Sequence, residues 1–400
     1  MSFDPNVLID NHQPVVGNGY RGNVINELAG AGPNWARLRR PYLDDKYGPC
    51  VTINAGRWTV EKGERRPVLE RVRVADLVNN HGISLPVFNA TTLRADAWRE
   101  MDKVILKSAR QRLRAWADLA GRNTYGGFNA MGKAFLEHET MSDPGEAVVD
   151  MDGLTEGRAD TPRFQLEGLP LPITHSDFWF SSRQLESSRT SGTPLDTTMG
   201  EAAGRRVGES VEKVTIGVDT GISYGGTGGY SDGRAYSRSA QVFGYTNFTN
   251  RNTKTDLTTP TGSNPEGVLQ DVLEMRQLMF DDFMYGPYIL YHSTSYDQFL
   301  DNDYARLGGN NANTTLRDRI RAVEGIEDVR RLDFLTSGYQ LILVQMTGDV
   351  ARAVVGMNIT TVQWESVGGL RLNFKVMAIL VPQLRADFSN RCGIVHATTS

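Results

Sequence analysis

The sequence predicts an α+β chain, because helical patterns and strand-forming runs occur in separate stretches rather than in regular alternation. The longest helical pattern runs from about Leu93 to Gly121. Strand patterns dominate the C-terminal part, from Tyr339 to His396, in runs bounded by Gly, Asp or Pro. The chain has 400 residues, which exceeds one typical domain, so we expect roughly two or three packed units.

Charge and composition restrict the partners that the chain can have. The formal net charge is −4, with 43 Lys and Arg against 47 Asp and Glu. Proteins that grip nucleic acid by its phosphates carry a basic excess, so we expect only weak, non-specific contact with DNA. Cys50 and Cys392 stand far apart, which excludes a disulfide framework and a cysteine zinc site. No apolar run approaches the roughly 20 residues of a membrane span, and the N-terminus lacks a secretory signal pattern.

Residues 1–92 have the pattern of an extended N-terminal arm. Turn-forming Gly and Pro recur in it, and it holds too little apolar mass to fold alone. Two alternating runs, Cys50 to Ile53 and Arg57 to Val60, flank Asn54-Ala55-Gly56. This arrangement predicts a small hairpin.

Residues 93–122 are predicted as one long amphipathic helix that ends at Gly121. Its apolar side chains recur three and four positions apart, at Trp98, Met101, Ile105, Ala109, Leu113, Trp116 and Ala120. At about 1.5 Å per residue such a helix would reach roughly 40 Å. Basic residues, among them Lys107, Arg110 and Arg114, occupy its other faces.

Residues 123–168 form an acidic stretch with little apolar periodicity, in which Glu137, Glu139, Glu146 and Asp150 are prominent. A connection of roughly forty residues is too long for an ordinary loop, so it is functional, disordered or an extended hairpin. His138 stands between two glutamates, and we expect a solvated segment there rather than a metal site.

Further along the chain, a helical pattern that ends near Val214 is separated from the next helix by a Gly-rich and polar stretch. Residues 224–262 of this stretch are predicted as a mobile or surface insertion. The next helix begins with Ser263 and Glu266 at capping-box spacing, and Asn264-Pro265 offers an alternative Asn cap followed by Pro in the first turn.

The sequence contains no motif that indicates catalysis or a bound cofactor. Gly225 to Gly229 lacks the Gly-Lys-Ser/Thr ending of a phosphate-binding loop, and Ser231 stands where a dinucleotide-binding fingerprint needs its third glycine. The six histidines are scattered without metal-binding spacing. We therefore expect no catalytic residues, no cofactor and no metal.

Short motifs between Leu93 and His396 follow one another in a characteristic order. They are Leu93 to Asp102 at the start of a long helix, Leu169 to Ile173, Phe178 to Leu185, Glu212 to Gly217, Tyr285 to Leu290, Tyr296 to Phe299 and Val355 to Ile359. Their order resembles the HK97-type capsid fold of tailed double-stranded-DNA viruses, and particularly its encapsulin branch. The long N-terminal arm and the polar insertion favour a viral capsid protein over an encapsulin.

The resemblance implies a division of the chain and a function. It implies an arm (1–92), a spine helix (93–122), an extended loop (123–168), a peripheral domain (169–216, with strands of 350–400 returning in part) and an axial domain (217–349) that holds the polar insertion (224–262). The implied function is that of a major capsid protein, which assembles as pentamers and hexamers into an icosahedral shell around viral DNA. Its implied partners are other copies of itself, packaged double-stranded DNA, and portal, scaffolding and decoration proteins. It would be made in the host cytoplasm and reside in the virion.

The charge contrast suggests an assembly contact. We expect the acidic loop, through Glu137, Glu139, Glu146 and Asp150, to lie over a neighbour's basic helix or peripheral domain, with Lys107, Arg110 and Arg114 as its basic counterpart. Two other functions stay open at this stage. One is an encapsulin-like compartment that holds a cargo enzyme, and the other is a nucleotide-dependent enzyme that uses the Gly-rich segment.

Overall fold

The structure, a computed structural model, describes residues 41–44, 48–61, 64–73, 95–111, 113–128, 130–142, 149, 151, 161–191, 197–218, 223–224, 240–261, 264–302, 315–366, 368 and 370–399. The helices in these residues are α1 (Ala95–Arg110), α2 (Ala115–Arg122), α3 (Ser182–Ser191), α4 (Thr198–Ile216), α5 (Pro265–Asp281), α6 (Asp297–Leu300) and α7 (Leu316–Arg321), with a 3-10 turn at Thr294–Tyr296. Helices and largely antiparallel strands are mixed, so the prediction of an α+β chain is confirmed.

The strands form two larger sheets and three small ones. They are β1 (Pro41–Asp44), β2 (Gly48–Glu61), β3 (Glu64–Arg73), β4 (Thr124–Gly126), β5 (Phe135–Met141), β6 (Phe164–Pro170), β7 (Thr174–Ser181), β8 (Ser223–Tyr224), β9 (Ala240–Gln241), β10 (Asn252–Lys254), β11 (Tyr288–His292), β12 (Ile326–Arg331), β13 (Gln340–Gln345), β14 (Ala351–Ser366), β15 (Arg371–Leu384) and β16 (Ile394–Thr398). The larger sheets have the orders β4-β14-β15-β7 and β10-β16-β13-β11-β12. The strands after residue 350 therefore divide between both of them.

The described part of the predicted arm, from residue 41 to residue 73, is an antiparallel sheet of β1, β2 and β3. The hairpin predicted at Asn54-Ala55-Gly56 is wrong, because β2 runs straight through these residues from Gly48 to Glu61. The register shifts between Asn54 and Trp58, so the extra residues are absorbed as a bulge within one strand. The first 40 residues lie outside the described part.

The single long helix predicted for 93–122 is interrupted, and the prediction is wrong at that point. Helix α1 ends at Arg110 and α2 begins at Ala115. The first backbone N–H groups of α2, at Ala115 and Trp116, donate to the Glu212 carboxylate at 2.7 and 3.2 Å. Because Glu212 belongs to α4, a tertiary contact stabilises a new helix start where the local pattern alone favours continuation. The apolar face is as predicted, since Met101, Ile105, Ala109, Leu113 and Trp116 are all buried.

Helix α4 packs closely against α1 because three of its residues have no side chain at the contact. Gly200, Gly204 and Gly208 repeat every four residues and so share one face. A Cβ atom on Gly204 would lie 2.7 Å from the carbonyl oxygen of Ile105, and one on Gly208 would lie 2.6 Å from that of Ala109. Both distances are too short for a real contact, so this spacing of the two helices requires glycine.

The main core lies between these helices and the inner face of the four-stranded sheet. On that face Phe178 of β7 stacks on Phe374 of β15, with ring centroids 5.0 Å apart. A second core joins α5 and α7 to the five-stranded sheet, through residues such as Met275, Met279 and Leu343. Within that sheet, β11 pairs in parallel with the edge strand β12 and antiparallel with the central strand β13.

Most of the described part of the predicted polar insertion is integral to the fold, which corrects the prediction of a surface segment for 224–262. Tyr245 is fully buried, and β10 forms an edge of the five-stranded sheet against β16. The polar residues satisfy the backbone: Asn247 Oδ1 accepts from Gly244 N at 2.6 Å, and Thr246 Oγ1 donates to the Ile216 carbonyl at 3.0 Å. These local bonds let a polar sequence run against the core. The Gly-rich residues 225–239 lie outside the described part.

Candidate assembly surfaces

Helix α1 presents a basic stripe to solvent. Arg99, Lys103, Lys107 and Arg110 are spaced four, four and three residues apart and are all exposed, so they lie along one face of the helix. Lys107 and Arg110 stand in its last turn, where the helix dipole favours cations. Among the described residues, neither of these two side chains makes an ion pair. Lys107 and Arg110 are therefore available to a partner.

Arg114, the third predicted basic residue, is placed differently. It stands in the link between α1 and α2, and its guanidinium lies 3.6 Å from the Asp333 carboxylate and 3.4 Å from the Arg331 carbonyl of the same chain. Its side chain is 45% exposed, so these contacts are weak. Arg114 is thus partly engaged within its own subunit, unlike Lys107 and Arg110.

The acidic stretch contains an extended hairpin, which was one of the arrangements left open by the sequence. Strands β5 and β6 pair in antiparallel register from Phe135–Pro170 to Met141–Phe164. Glu137 and Glu139 are exposed on one face of β5, as alternation along a strand requires. Glu146 and Asp150, the other two predicted acids, lie outside the described residues.

His138 points to the other face of the hairpin, between the two glutamates in sequence but not beside them in space. It is half-buried, and its Nε2 lies 3.3 Å from the Glu167 carboxylate on β6. Burial lowers the pKa of His138, and the Glu167 carboxylate opposes this shift. The side chain therefore has a structural contact across the hairpin, whereas a solvated segment was predicted.

The exposed face of the four-stranded sheet offers a further surface. Trp179 on β7 is 44% exposed, and the Arg371 guanidinium of β15 lies 4.3 Å from its ring centroid. Across the sheet, Lys375 of β15 lies 5.7 Å from the ring of Trp364 on β14. Two cation–aromatic pairs thus lie on one solvent-facing sheet. Trp and Arg are the residue types that contribute most to protein–protein binding.

A buried polar network joins the long helical segment to α4 and to the five-stranded sheet, and sequence analysis missed it. Glu212 is 2% exposed, and burial raises its pKa to about 7, although the backbone N–H groups of Ala115 and Trp116 lower it. The N–H groups at the positive end of α2 therefore offset only part of the cost of burying a charge at Glu212.

Asp118, one turn into α2, continues this network. Its carboxylate accepts from Tyr291 Oη of β11 at 3.0 Å and pairs with the Arg330 guanidinium of β12. Tyr291 stacks on Tyr245, with ring centroids 5.9 Å apart. Burial raises the pKa of Asp118, while Arg330 opposes the shift. Asp118 thereby links α2 to the five-stranded sheet, and Glu212 links α4 to the start of α2.

Other kinds of site were sought in the part of the chain that the structure covers. Within it, no group of three or more His, Cys, Asp or Glu residues could hold a metal ion. No helix there is both long and apolar enough to cross a membrane. The Gly-rich segment considered for nucleotide binding lies outside the described residues.

Comparison with known proteins places the chain in a family. A sequence family described as a family of unknown function, DUF6260, matches residues 89–397. The chain belongs to this family. The matched region begins just before α1 and ends within β16, so it includes the long helical segment, the hairpin and both larger sheets. No curated protein matches the chain in sequence.

Solved structures similar to this member of DUF6260 are shells. A virus-like particle from Pyrococcus furiosus is 14% identical, with a TM-score of 0.49, over 76% of this chain and 100% of that chain. The capsid of Myoviridae phage XM1 is 11% identical, with a TM-score of 0.47, over 67% and 86% of the two chains. The satellite phage P4 procapsid is 11% identical, with a TM-score of 0.39, over 75% and 98%. These are the kinds of protein named from the sequence motifs, but at such identities and TM-scores the likeness assigns neither a function nor a partner.

Proposed function

We propose that this chain is a major capsid protein, the repeated subunit of an icosahedral shell that encloses viral double-stranded DNA. The ordered motifs between Leu93 and His396, which resemble the HK97-type capsid fold, support the class of protein. The observation that carries the proposal is a pair of exposed elements of opposite charge, the basic stripe of α1 and the acidic face of β5. Among the described residues, no ion pair joins Lys107 or Arg110 to Glu139.

In the proposed shell each subunit supplies both halves of a repeated contact. The acidic segment 123–168 of one copy, with Glu137, Glu139, Glu146 and Asp150, lies over the basic stripe of the next copy or over its exposed sheet face. A single exposed ion pair contributes only about 0–1 kcal/mol. Repetition around closed pentamers and hexamers makes such modest contacts additive across the particle, which is how weak interfaces yield a stable shell.

The same proposal covers what the shell encloses and where it resides. A subunit with net charge −4 contacts packaged DNA only weakly and non-specifically, since strong phosphate binding requires a basic excess. The chain would be made in the host cytoplasm, would reside in the virion, and would meet portal, scaffolding and decoration proteins there. Its role is structural rather than catalytic.

Charge reversal tests the contact. Replacing Arg110 by Glu should reduce particle yield while the subunit stays folded, because Arg110 is exposed and makes no ion pair among the described residues. Replacing Glu139 by Arg should do the same from the other side. The double variant should regain particles if the two residues meet across copies. Arg319→Glu, an exposed reversal on α7, is the matched control and should assemble as the wild type does.

The readouts are sedimentation velocity for particle yield and circular dichroism for folding. Normal particles from both single variants would contradict the contact. Purified wild-type particles that contain a packaged protein and no genome-length DNA would instead identify a cargo compartment of the encapsulin kind.

A further inference from the structure

Helix α5 ends in an unusual way. Met284 N donates to the Met279 carbonyl and Phe283 N donates to the Phe280 carbonyl, both at 2.9 Å. These two bonds define a Schellman motif, whose key residue adopts the left-handed backbone conformation and is usually Gly. Here that residue is Phe283, with φ of 61°. A phenylalanine in this conformation costs stability that a glycine would not.

The ring of Phe283 gains little from its own subunit in return. It is 58% exposed, so it contributes little to the core. Its one aromatic or cation–aromatic contact among the described residues is with Arg391, whose guanidinium lies 4.6 Å from the ring centroid. A strained backbone that holds a large apolar side chain in solvent indicates a role outside the folding of the subunit.

The surroundings hold Phe283 and Arg391 in place. Asp282 Oδ2 accepts from Cys392 N at 3.1 Å and from Asn252 Nδ2 at 2.7 Å, which ties the end of α5 to the loop that carries Arg391. Within that loop, Asp387 Oδ1 accepts from Arg391 N at 2.8 Å. Side chains that are already ordered lose less conformational entropy when they bind a partner.

A second exposed ring lies beside the first along the chain. Tyr285 is 67% exposed and lies against Phe280, with ring centroids 5.7 Å apart. The Arg276 guanidinium lies 5.3 Å from the Phe280 ring. The end of α5 therefore carries two exposed rings two residues apart in sequence, one beside Arg391 and the other beside the Phe280–Arg276 pair. Aromatic residues and Arg are enriched in the central residues of protein interfaces.

We propose that this aromatic patch, formed by Phe283, Tyr285, Arg276 and Arg391, is a contact surface for a second copy of this chain. The inference rests on the proposed shell function, and it adds an interface separate from the hairpin. The exposed carboxylates of Asp281 and Asp387 match the charge of the two guanidinium groups, so this surface lacks the basic excess that strong nucleic-acid binding requires. In a shell built from one repeated subunit, the protein surface at the highest local concentration is another copy.

Substitution of Phe283 by Gly should raise the stability of the subunit and weaken its assembly. Because the two effects have opposite signs, this variant distinguishes a role in folding from a role in assembly. The dissociated Phe283→Gly subunit should unfold at a higher urea concentration than the wild type. Its assembly should require about tenfold more protein, the effect of removing one strongly contributing interface residue. Phe283→Asn, which tolerates the same backbone conformation and also removes the ring, should repeat the assembly loss. Phe283→Tyr keeps the ring and should assemble within about twofold of the wild type.

The outcomes are distinguishable. Wild-type assembly combined with normal Phe283→Gly assembly would overturn this contact and leave the shell function standing. A wild-type chain that forms no particles under any condition would overturn the shell function, and this contact with it. If Phe283→Gly shells form normally but retain less of another protein or of nucleic acid, the second copy is the wrong occupant and the proposal fails.

Discussion

The buried Glu212 carboxylate predicts a specific dependence of stability on pH. Its pKa is raised from 4.5 to about 7 in the folded chain. Below pH 4.5 the carboxyl group is protonated in both the folded and the unfolded chain. As the pH rises towards 7, the unfolded chain releases this proton while the folded chain keeps it, so the folded state loses stability. At about 1.4 kcal/mol per pH unit, this interval is worth about 3 kcal/mol.

Replacing Glu212 by Gln removes the titrating group and preserves the shape of the side chain. The free energy of unfolding of the variant, relative to that of the wild type, should therefore increase by about 2.5 kcal/mol between pH 5 and pH 8, since the unfolded chain has already released part of this proton at pH 5. Because the amide oxygen can still accept from Ala115 N or Trp116 N, the start of α2 should persist in the variant.

Urea unfolding of the dissociated subunit, followed by tryptophan fluorescence at several pH values, measures this difference. Glu201→Gln, on the exposed side of the same helix, is the matched control and should differ from the wild type by a constant amount. If the Glu212→Gln and wild-type profiles run parallel from pH 5 to pH 8, the account of a buried helix cap with a raised pKa is refuted.

Two further predictions concern the contacts around α1 and α2. Gly208→Val places a Cβ 2.6 Å from the Ala109 carbonyl oxygen. It should lower the free energy of unfolding of the subunit by about 1–3 kcal/mol, and with it the Tm. An unchanged Tm would contradict the close approach of α4 to α1. Arg330→Met removes the cation that faces Asp118 and should cost about 1–2 kcal/mol in urea unfolding at pH 8. The loss should be smaller at pH 5, where Asp118 is more fully protonated, and an equal loss at both pH values would contradict the pairing.

Local patterns predicted the elements whose stability is local. The apolar spacing from Met101 to Trp116 identified the buried face of the long helical segment, and Asn264-Pro265 identified the start of α5, at Pro265. The break between α1 and α2 could not be found in this way, because the cap at Glu212 comes from a residue 97 positions away from Ala115. Only a tertiary contact distinguishes a continuous helix from two helices here.

Polar composition did not predict burial correctly where polar side chains form hydrogen bonds with backbone groups. The stretch around Asn247 was predicted as a surface segment, yet its Thr and Asn side chains bond to nearby backbone groups and allow Tyr245 to be buried. Conversely, the four-residue spacing of Gly200, Gly204 and Gly208 was visible in the sequence, and it would have indicated the close contact of α4 with another helix.

The predicted assembly residues show how little the sequence alone reveals about contacts made by a surface. Four of the residues chosen by charge contrast, Lys107, Arg110, Glu137 and Glu139, are exposed. Charge contrast could not foresee that Arg114 lies beside Asp333 of its own chain. Whether charges on a surface meet across copies depends on the geometry of a second subunit, which neither periodicity nor composition encodes.

Electron microscopy of the purified chain, expressed alone, tests the central claim most directly. The account predicts closed particles of uniform diameter, built from rings of five and six subunits. Monodisperse monomers at every protein concentration, pH and ionic strength, with the acidic hairpin folded against the basic stripe of the same chain, would contradict it.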